Sequence, residues 1–527
     1  MILIKTFADV YAYYVEDIAS WDLPDVGKVC GDRRYLLTKR CFRRMIKPSA
    51  SFSAEVFLMR KFLLLENIVA TASGGKGRAT SQEHPGLAPA GRRGVTQASL
   101  PALISMLMMA AMLFAMVVVS AATSCYAGEA AITISSDRQT VISPGEAADT
   151  VYISWKGEKD GPSFLRVSQS RESLPRSQAI EGRRERVLGG AYFRYTAQLK
   201  GLEPGETYYY EIGDGMVFDK PSSFRTPQES GEGTFLYLGD VQFDISIDEY
   251  RRWGEDMEDI WARHPDLDCA VIGGDMVNVP WRLEQWNGFL ENCDVFSSLP
   301  LMTVPGNHEG VKGNITYRKM FPAPDNGPFM SGLSGEAASA GNFYYFDWGY
   351  CRFIMTDSSF LTDARMESLG PEAWARAEKK VEEWLAEALE GSDKTWNIVV
   401  THHPPYGMHD KATVSPELRK LWVPIMEEYG ADLVLCGHQH MYMRTERING
   451  ILYVMGNSGQ RKSGFFNGSD VPRYSASVYG EGMSYQIIKA GWKELRITAY
   501  NEKGLIVDEA LLEKNIFLHI LEFFGSH

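Results

Sequence analysis

The sequence reads WNIVVTHHPP at residues 396–405 and DLVLCGHQH at residues 432–440. Each stretch is a short apolar run that leads into imidazole side chains. This pattern is typical of a buried strand followed by a polar loop. Three further apolar runs end in polar clusters, namely Gly239-Asp240, Gly274-Asp275 and Gly306-Asn307-His308-Glu309. Polar residues at the carboxyl ends of strands in an α/β fold meet at one edge of the sheet, where such folds form their sites.

The segment from 233 to 500 is predicted to be one α/β domain. Its apolar runs predict strands at 234–240, 269–275, 301–307, 351–357, 396–403, 432–438 and 451–457. Helical periodicity lies between them, near 246–263, 281–297, 371–390 and 416–429. The alternation predicts a buried sheet covered by helices. Residues 501–527 are left as a C-terminal tail that ends in the apolar segment NIFLHILEFFGSH (515–527).

Residues 129–227 are predicted to form a separate all-β domain. Short alternating runs separated by Gly, Pro, Asp and Ser predict strands at 151–155, 163–168, 192–199, 207–212 and 222–227. The spacing of the turns suggests a β-sandwich, whose expected role is to frame the following domain. The corner LEPGETYYY (202–210) and the exit FRTP (224–227) resemble those of fibronectin type III-like domains.

The strand-end clusters, taken in order, resemble those of the calcineurin-like metallophosphoesterases and, within them, of the purple acid phosphatases. The resemblance covers roughly residues 140–500 and includes NFYYFDWG at 342–349. It implies a four-layer α/β/β/α sandwich that holds two metal ions at the strand ends. The ligands that it implies are Asp240, Asp275, Asn307, His402, His438 and His440.

In this resemblance Asp240 and His440 bind the first metal ion, and Asp275 bridges both ions. The second ion is bound by Asn307, His402 and His438. Carboxylates, an amide oxygen and imidazoles suit divalent Zn, Mn or Fe better than Ca or Mg alone. The family's chemistry is the hydrolysis of phosphate esters through attack by a metal-bound hydroxide.

Further histidines near the ligands are candidates for proton transfer. His308 follows Asn307 directly, and in the family this residue contacts the phosphate or protonates the leaving alkoxide. Glu309 is expected to orient the His308 imidazole. His403 is expected to support the ligands from behind, and His409 is a further catalytic candidate whose role the sequence leaves open.

Two positions depart from the family pattern. Purple acid phosphatases carry a Tyr three residues after the bridging Asp, where this chain has Asn278. Many other members carry a His two residues after the first Asp, where this chain has Gln242. Each amide either binds the first metal ion or hydrogen-bonds from behind a ligand. Both departures argue against Fe(III) and against a purple colour.

Charge and hydropathy bear on location and partners. The formal charge is −13; residues 1–98 hold 15 basic and 9 acidic side chains, and the remainder holds 39 basic and 58 acidic ones. The excess of acidic side chains in residues 99–527 argues against a nucleic-acid-binding surface, because such a surface needs basic side chains. Residues 99–127 carry no charge and follow Arg92-Arg93. This predicts either a secretory signal over 99–128 or a membrane anchor through 99–123, with the following domains outside the cytoplasm in both cases. No role is assigned to the extension 1–98.

Three functions remain open at this point. The favoured one is an exported phosphatase that hydrolyses phosphate monoesters. A phosphodiesterase or nucleotidase would use the same metal site and differ only in how the pocket meets the leaving group. A non-catalytic surface binding protein is the third, but it would not need a complete set of ligands.

Overall fold

The computed structural model describes residues 138–157, 161–190, 192–242, 247–310, 315–328, 342–409, 414–460 and 471–514. The predicted extension 1–98, the signal or anchor 99–128 and the apolar segment 515–527 lie outside these residues. Among the helices in the described part of the chain, none is both long and apolar enough to cross a membrane.

The front domain is a pair of four-stranded antiparallel sheets, with strand orders β1-β2-β6-β5 and β4-β3-β7-β8. Its strands are β1 Val141–Pro144, β2 Val151–Gly157, β3 Phe164–Ser168, β4 Ile180–Glu181, β5 Arg183–Val187, β6 Tyr192–Leu199, β7 Thr207–Gly213 and β8 Ser222–Arg225. Inward-facing side chains of both sheets, including Trp155, Leu165 and Tyr210, form one buried cluster. The strands β4 and β5 were not predicted, because they are short and largely exposed.

The second domain contains a six-stranded and a seven-stranded sheet, with orders β11-β10-β9-β19-β20-β21 and β12-β13-β14-β15-β17-β16-β18. The strands are β9 Gly233–Leu238, β10 Cys269–Ile272, β11 Leu301–Thr303, β12 Tyr344–Trp348, β13 Cys351–Thr356, β14 Trp396–Thr401, β15 Leu433–Cys436, β16 Tyr442–Thr445, β17 Leu452–Met455, β18 Ser475–Tyr479, β19 Ser484–Ala490, β20 Glu494–Asn501 and β21 Ile506–Glu513. The helices are α1 Ile247–Arg263, α2 Leu283–Glu291, α3 Asn307–Gly310, α4 Ile315–Met320, α5 Asp363–Leu369, α6 Pro371–Glu390, α7 Ser415–Leu421 and α8 Val423–Glu428.

The two sheets of this domain pack against each other, and helices cover their outer faces. Successive side chains of a strand point to opposite faces. Phe235 and Tyr237 of β9 therefore join the cluster between the sheets, while Leu236 joins a second cluster with α1 and α2. On the other sheet, Val399 of β14 and its neighbours pack against α6, α7 and α8.

The parallel strands β9, β10 and β11 lie side by side, as do β13, β14, β15 and β17. All seven are strands that the apolar runs predicted. Their carboxyl ends therefore lie at the same edge of each sheet, and the site is built there.

Three predicted boundaries need correction. The helix predicted over 281–297 ends at Glu291 and is followed by a 3-10 turn. The helix predicted over 416–429 is two helices, divided at Trp422. Residues 506–513 do not belong to a separate tail, because β21 pairs with β20 along its length and continues the six-stranded sheet.

Candidate metal centre

The candidate site lies where strand ends from both sheets approach each other very closely. A Cβ atom on Gly274 would lie 2.7 Å from His402 Nδ1, and one on Gly306 would overlap the Asp275 carboxylate. Both positions therefore exclude any larger residue. Asp275, His438 and His440 have positive φ angles of 52°, 75° and 52°. Such backbone costs about 1–3 kcal/mol at a non-glycine residue and collects at functional sites.

Four predicted ligands bring their donor atoms together in one group. Asn307 Oδ1 lies 3.0 Å from His402 Nε2 and 2.9 Å from His438 Nδ1. Asp275 Oδ2 lies 3.3 Å from His402 Nε2. Ligand bonds of about 2.1 Å around one ion put neighbouring ligand atoms about 3 Å apart. These spacings therefore fit a single cation between the four residues predicted for the second site.

The tautomer of His402 strengthens this fit. Its Nδ1 lies 2.9 Å from the carbonyl oxygen of Gly273, which can only accept, so Nδ1 carries the hydrogen. In a neutral ring Nε2 then presents a lone pair to Asn307 Oδ1 and Asp275 Oδ2, which are also acceptors. Three facing acceptors need a proton or a cation between them. In the metal-free protein burial lowers the pKa of His402, but the Asp275 carboxylate outweighs burial and raises it to about 9.

The other predicted ligands, those of the first metal site, form another group beside these four. Asp240 is fully buried; its Oδ2 accepts the His438 backbone N–H at 2.6 Å, and its Oδ1 lies 3.9 Å from His440 Nε2. Asp240 Oδ1 has no hydrogen-bond partner in the described part of the chain. Gln242 Nε2 lies 3.2 Å from both Asp275 Oδ2 and His440 Nε2. Asp275 Oδ2 thus lies between the two groups, which is the position expected of a bridging ligand.

His308 lies at the edge of the site with its ring held in one orientation. Its Nδ1 lies 2.7 Å from the carbonyl oxygen of Asn278, so Nδ1 carries the hydrogen. Its Nε2 faces the site, 3.8 Å from Asp275 Oδ2. The backbone of Asn278, rather than Glu309, therefore orients this ring.

The role expected for Glu309 was wrong. Its fully buried carboxylate accepts the backbone N–H groups of Asp275, Val277 and Gly306 at 2.9, 3.0 and 2.9 Å. Burial and the nearby Asp275 raise the pKa of Glu309 to about 8, against the effect of these donors. Glu309 therefore ties the loop after β10 to the loop after β11 and is a positioning residue.

Two residues predicted around the ligands are held by side chains that the sequence did not single out. Ser358 Oγ lies 2.9 Å from His403 Nδ1 and accepts the His403 backbone N–H at 3.0 Å. The His403 ring centroid lies 4.3 Å from that of His438. The Gln439 side chain binds the backbone of His409 at both ends of its amide. Its Oε1 accepts the His409 N–H at 3.2 Å, and its Nε2 donates to the His409 carbonyl oxygen at 3.3 Å. Ser358 follows a predicted strand end, and that signal could have found it.

Comparisons with known proteins agree with this geometry. A model of the calcineurin-like phosphoesterase family matches residues 233–442, and a model of the purple acid phosphatase N-terminal domain matches residues 138–226. The chain therefore contains a calcineurin-like phosphoesterase domain over residues 233–442. Its matched catalytic domain is that of a metal-dependent phosphoester hydrolase, and its front domain is a purple acid phosphatase N-terminal domain. The purple acid phosphatase family uses a dinuclear metal centre. In this structure the ligand atoms of Asp240, Asp275 and His402 lie within 4.8 Å of one another, as do those of His402, His403 and His438.

Several curated relatives are purple acid phosphatases. Purple acid phosphatase 15 of Arabidopsis thaliana is 26% identical over 317 residues, which are 52% of this chain and 55% of the relative. Purple acid phosphatase of Glycine max is 24% identical over 345 residues, 61% of this chain and 68% of its own. Phosphoenolpyruvate phosphatase of Allium cepa is 27% identical over 311 residues, 55% and 57% of the two chains. The chain spans about half the length of the first of these relatives.

Solved structures show the same fold. Purple acid phosphatase PPD1 from yellow lupin seeds superposes with a TM-score of 0.54 at 17% identity, covering 72% of this chain and 74% of that one. A structure of PhoD gives a TM-score of 0.50 at 12% identity, covering 72% and 90%. At these identities the likeness concerns the mixed α/β phosphoesterase fold alone.

Proposed function

We propose that this protein is an exported phosphatase that hydrolyses phosphate monoesters at a site holding two divalent metal ions. The observation that carries the proposal is the convergence of Asn307, His402, His438 and Asp275, whose donor atoms lie at the spacings expected around one cation. Asp240 and His440 beside them form the donor group of the first site, which shares Asp275 and has Gln242 next to it. The two packed sheets with outer helices support a four-layer α/β/β/α arrangement, and the two front sheets support a fibronectin type III-like sandwich.

The residues of this site divide the work of hydrolysis. When bound, the two cations supply positive charge for the phosphoryl oxygens and lower the pKa of a water molecule. Asp275 holds the two donor groups at a fixed distance from each other. Glu309 holds together the two loops that carry Asp275 and Asn307. A protonated His308 presents its Nε2–H to the leaving-group oxygen, because its Nδ1–H is already given to Asn278.

The test is a panel of substrates given to purified protein of known metal content. An aryl phosphate monoester, its diester analogue and a nucleoside monophosphate should be turned over at different rates, with the monoester fastest. Chelation followed by gel filtration should abolish all turnover, and added Zn²⁺ or Mn²⁺ should restore it. A faster diester would assign the protein to the phosphodiesterases, and no turnover with two ions bound would favour a surface binding protein.

Export is expected to depend on residues 99–127. This uncharged run follows Arg92-Arg93, and a basic flank before an apolar run keeps the preceding residues inside. Deleting 1–127 should leave the domains folded and active inside the cell and remove them from its exterior, as measured by fractionation. A shorter deletion of 1–90 is the matched control and should leave export unchanged. Export of the 128–527 chain would contradict the prediction.

The protein is expected not to be purple. The colour of the purple acid phosphatases comes from a tyrosinate bound to Fe(III), and Asn278 stands at that position. Tyr442, close in sequence to ligand His440, gives its hydroxyl to Asp508 at 2.7 Å. The ring of Tyr406 packs on those of Tyr453 and Tyr474.

An absorption spectrum of aerobically purified, iron-loaded protein checks this expectation. We expect no strong charge-transfer band in the visible range. A band that disappears in Tyr406→Phe or Tyr442→Phe would mean that a phenolate reaches the first site from another loop, and the assignment of two divalent ions would fail.

A further inference from the structure

Gln242 lies where the first donor group lacks a fourth protein ligand. Asp240, Asp275 and His440 supply three donors to this group, whereas the second group has four donors. The Gln242 side chain enters the gap between Asp275 Oδ2 and His440 Nε2, at 3.2 Å from each. Gln242 is only 1% exposed to solvent. An amide buried this deeply between two ligand side chains acts within the metal site and not at the protein surface.

The hydrogen bonds of Gln242 are incomplete. Its Nε2 donates to Asp275 Oδ2, but its Oε1 has no hydrogen-bond partner in the described part of the chain. Asp240 Oδ1, in the same group, also has none. A buried polar atom left without a partner costs about 1–3 kcal/mol, so two of them in one cluster need an explanation. A cation that takes lone pairs from both oxygens would provide it.

The backbone holds Gln242 at this position. The N–H groups of Val241 and Gln242 both donate to the carbonyl oxygen of Asp275, at 3.1 and 2.8 Å. The residue therefore cannot move away from the bridging carboxylate without breaking these bonds. A half-turn of the terminal amide exchanges its oxygen and nitrogen with little change in shape. The same side chain can therefore donate N–H to Asp275 when no cation is bound and present Oε1 when one is.

Resting on the proposed function, we propose that Gln242 is the fourth protein ligand of the first metal ion, through Oε1. The first site is then built from two carboxylates, one amide oxygen and one imidazole. The second site has two imidazoles, one amide oxygen and the shared carboxylate. Oxygen donors suit Mn²⁺ and imidazoles suit Zn²⁺, so the two sites differ in the ion they prefer. The amide takes the place of the imidazole that many relatives carry two residues after the first Asp, and because both groups are neutral the charge of the first site is unchanged.

Metal binding, rather than turnover, tests this role. Full-length wild type and the Gln242→Leu, Gln242→Glu and Gln242→His variants are stripped of metal and titrated calorimetrically with Mn²⁺ and Zn²⁺. Bound ions are counted by atomic emission after gel filtration. Even residues behind the ligands change metal affinity roughly 10- to 100-fold, so Gln242→Leu should weaken one of two sites by at least about 100-fold. Gln242→Glu and Gln242→His should restore two bound ions, with Gln242→His shifting the first site toward Zn²⁺.

The matched control is Gln486→Leu. Gln486 is also fully buried, but its amide donates to Ser484 on β19 rather than to a ligand. This variant should bind two ions with wild-type affinity, and thermal melts in chelator should show both leucine variants folded. Two ions bound by Gln242→Leu with unchanged affinities would overturn the ligand role, as would equal loss of both ions. Failure of the proposed function looks different, because two ions would bind without phosphomonoester turnover.

Discussion

Asp275→Asn is expected to lower kcat/KM for an aryl phosphate by at least about 10³-fold and to release both metal ions. The reason is that Asp275 Oδ2 lies near both donor groups, 3.3 Å from His402 Nε2 and 3.2 Å from the Gln242 amide. Replacing the carboxylate removes a full negative charge from between two cations. The loss should therefore exceed that of any single ligand that serves only one ion.

Asparagine has nearly the shape of aspartate, but this site leaves no good place for its amide nitrogen. Asp275 Oδ1 accepts the backbone N–H of His308 at 3.0 Å, so a nitrogen there would face another donor. In the Oδ2 position the nitrogen would face the cations and has no lone pair to offer. Either orientation of the amide loses an acceptor that the site needs. The variant is therefore impaired by its altered hydrogen bonding and charge and not by the size of its side chain.

The measurement is metal content by atomic emission together with steady-state kinetics. Asp268→Asn is the matched control, since Asp268 immediately precedes β10, at the end opposite Asp275. It binds the Thr234 N–H at 2.9 Å and Arg225 at 3.2 Å, away from the site. Its metal content and turnover should stay at wild-type levels. If Asp275→Asn kept two ions and a near wild-type rate, the bridging assignment would be wrong.

The strands that carry the site could be predicted because their signal is local. Each of β9, β10, β11, β14 and β15 is a nearly continuous apolar run, as buried parallel strands are, and each is followed at once by its polar cluster. In the structure β10, β11, β14 and β15 lie within the predicted stretches, and β9 begins one residue earlier, at Gly233. The strands β18, β20 and β21 escaped prediction for the opposite reason. Their side chains are partly exposed, so none of these strands is a continuous apolar run.

Within the site, residue types could be predicted but not their contacts. The motif Gly306-Asn307-His308-Glu309 suggested that Glu309 supports its neighbour His308. A carboxylate in the short helix α3 instead points back into the turn and meets three backbone N–H groups from two loops. Likewise, the carbonyls of Gly273 and Asn278 fix the tautomers of His402 and His308. Backbone groups carry no sequence signal, so such partners appear only in three dimensions.

His308→Ala is expected to leave both metal ions bound and to slow the hydrolysis of alkyl phosphates by a factor of about 10² to 10⁴. His308 is not among the metal donors, because its Nδ1–H is held by Asn278 and its Nε2 lies at the edge of the site. Its side chain is 28% exposed, so a leaving group can reach it from solvent.

The effect of His308 on the rate of hydrolysis depends on how basic the leaving group is. An alkoxide is too basic to depart without a proton, whereas a nitrophenolate departs unaided. Loss of a general acid should therefore slow alkyl phosphates strongly and nitrophenyl phosphate only slightly. The experiment compares kcat for a series of esters of increasing leaving-group pKa in wild type and in His308→Ala. His264→Ala serves as the control, because that ring packs against Tyr485 and Tyr500 and contacts no ligand.

A steeper dependence of log kcat on leaving-group pKa in His308→Ala than in wild type would establish the proton donor. Equal losses across the series would exclude it and leave His308 as a contact for the phosphate, in which case KM should rise for every ester. The two roles also differ in the rescue by His308→Gln. A glutamine can donate a hydrogen bond to phosphate but cannot release a proton, so it should restore binding and leave the alkyl esters slow.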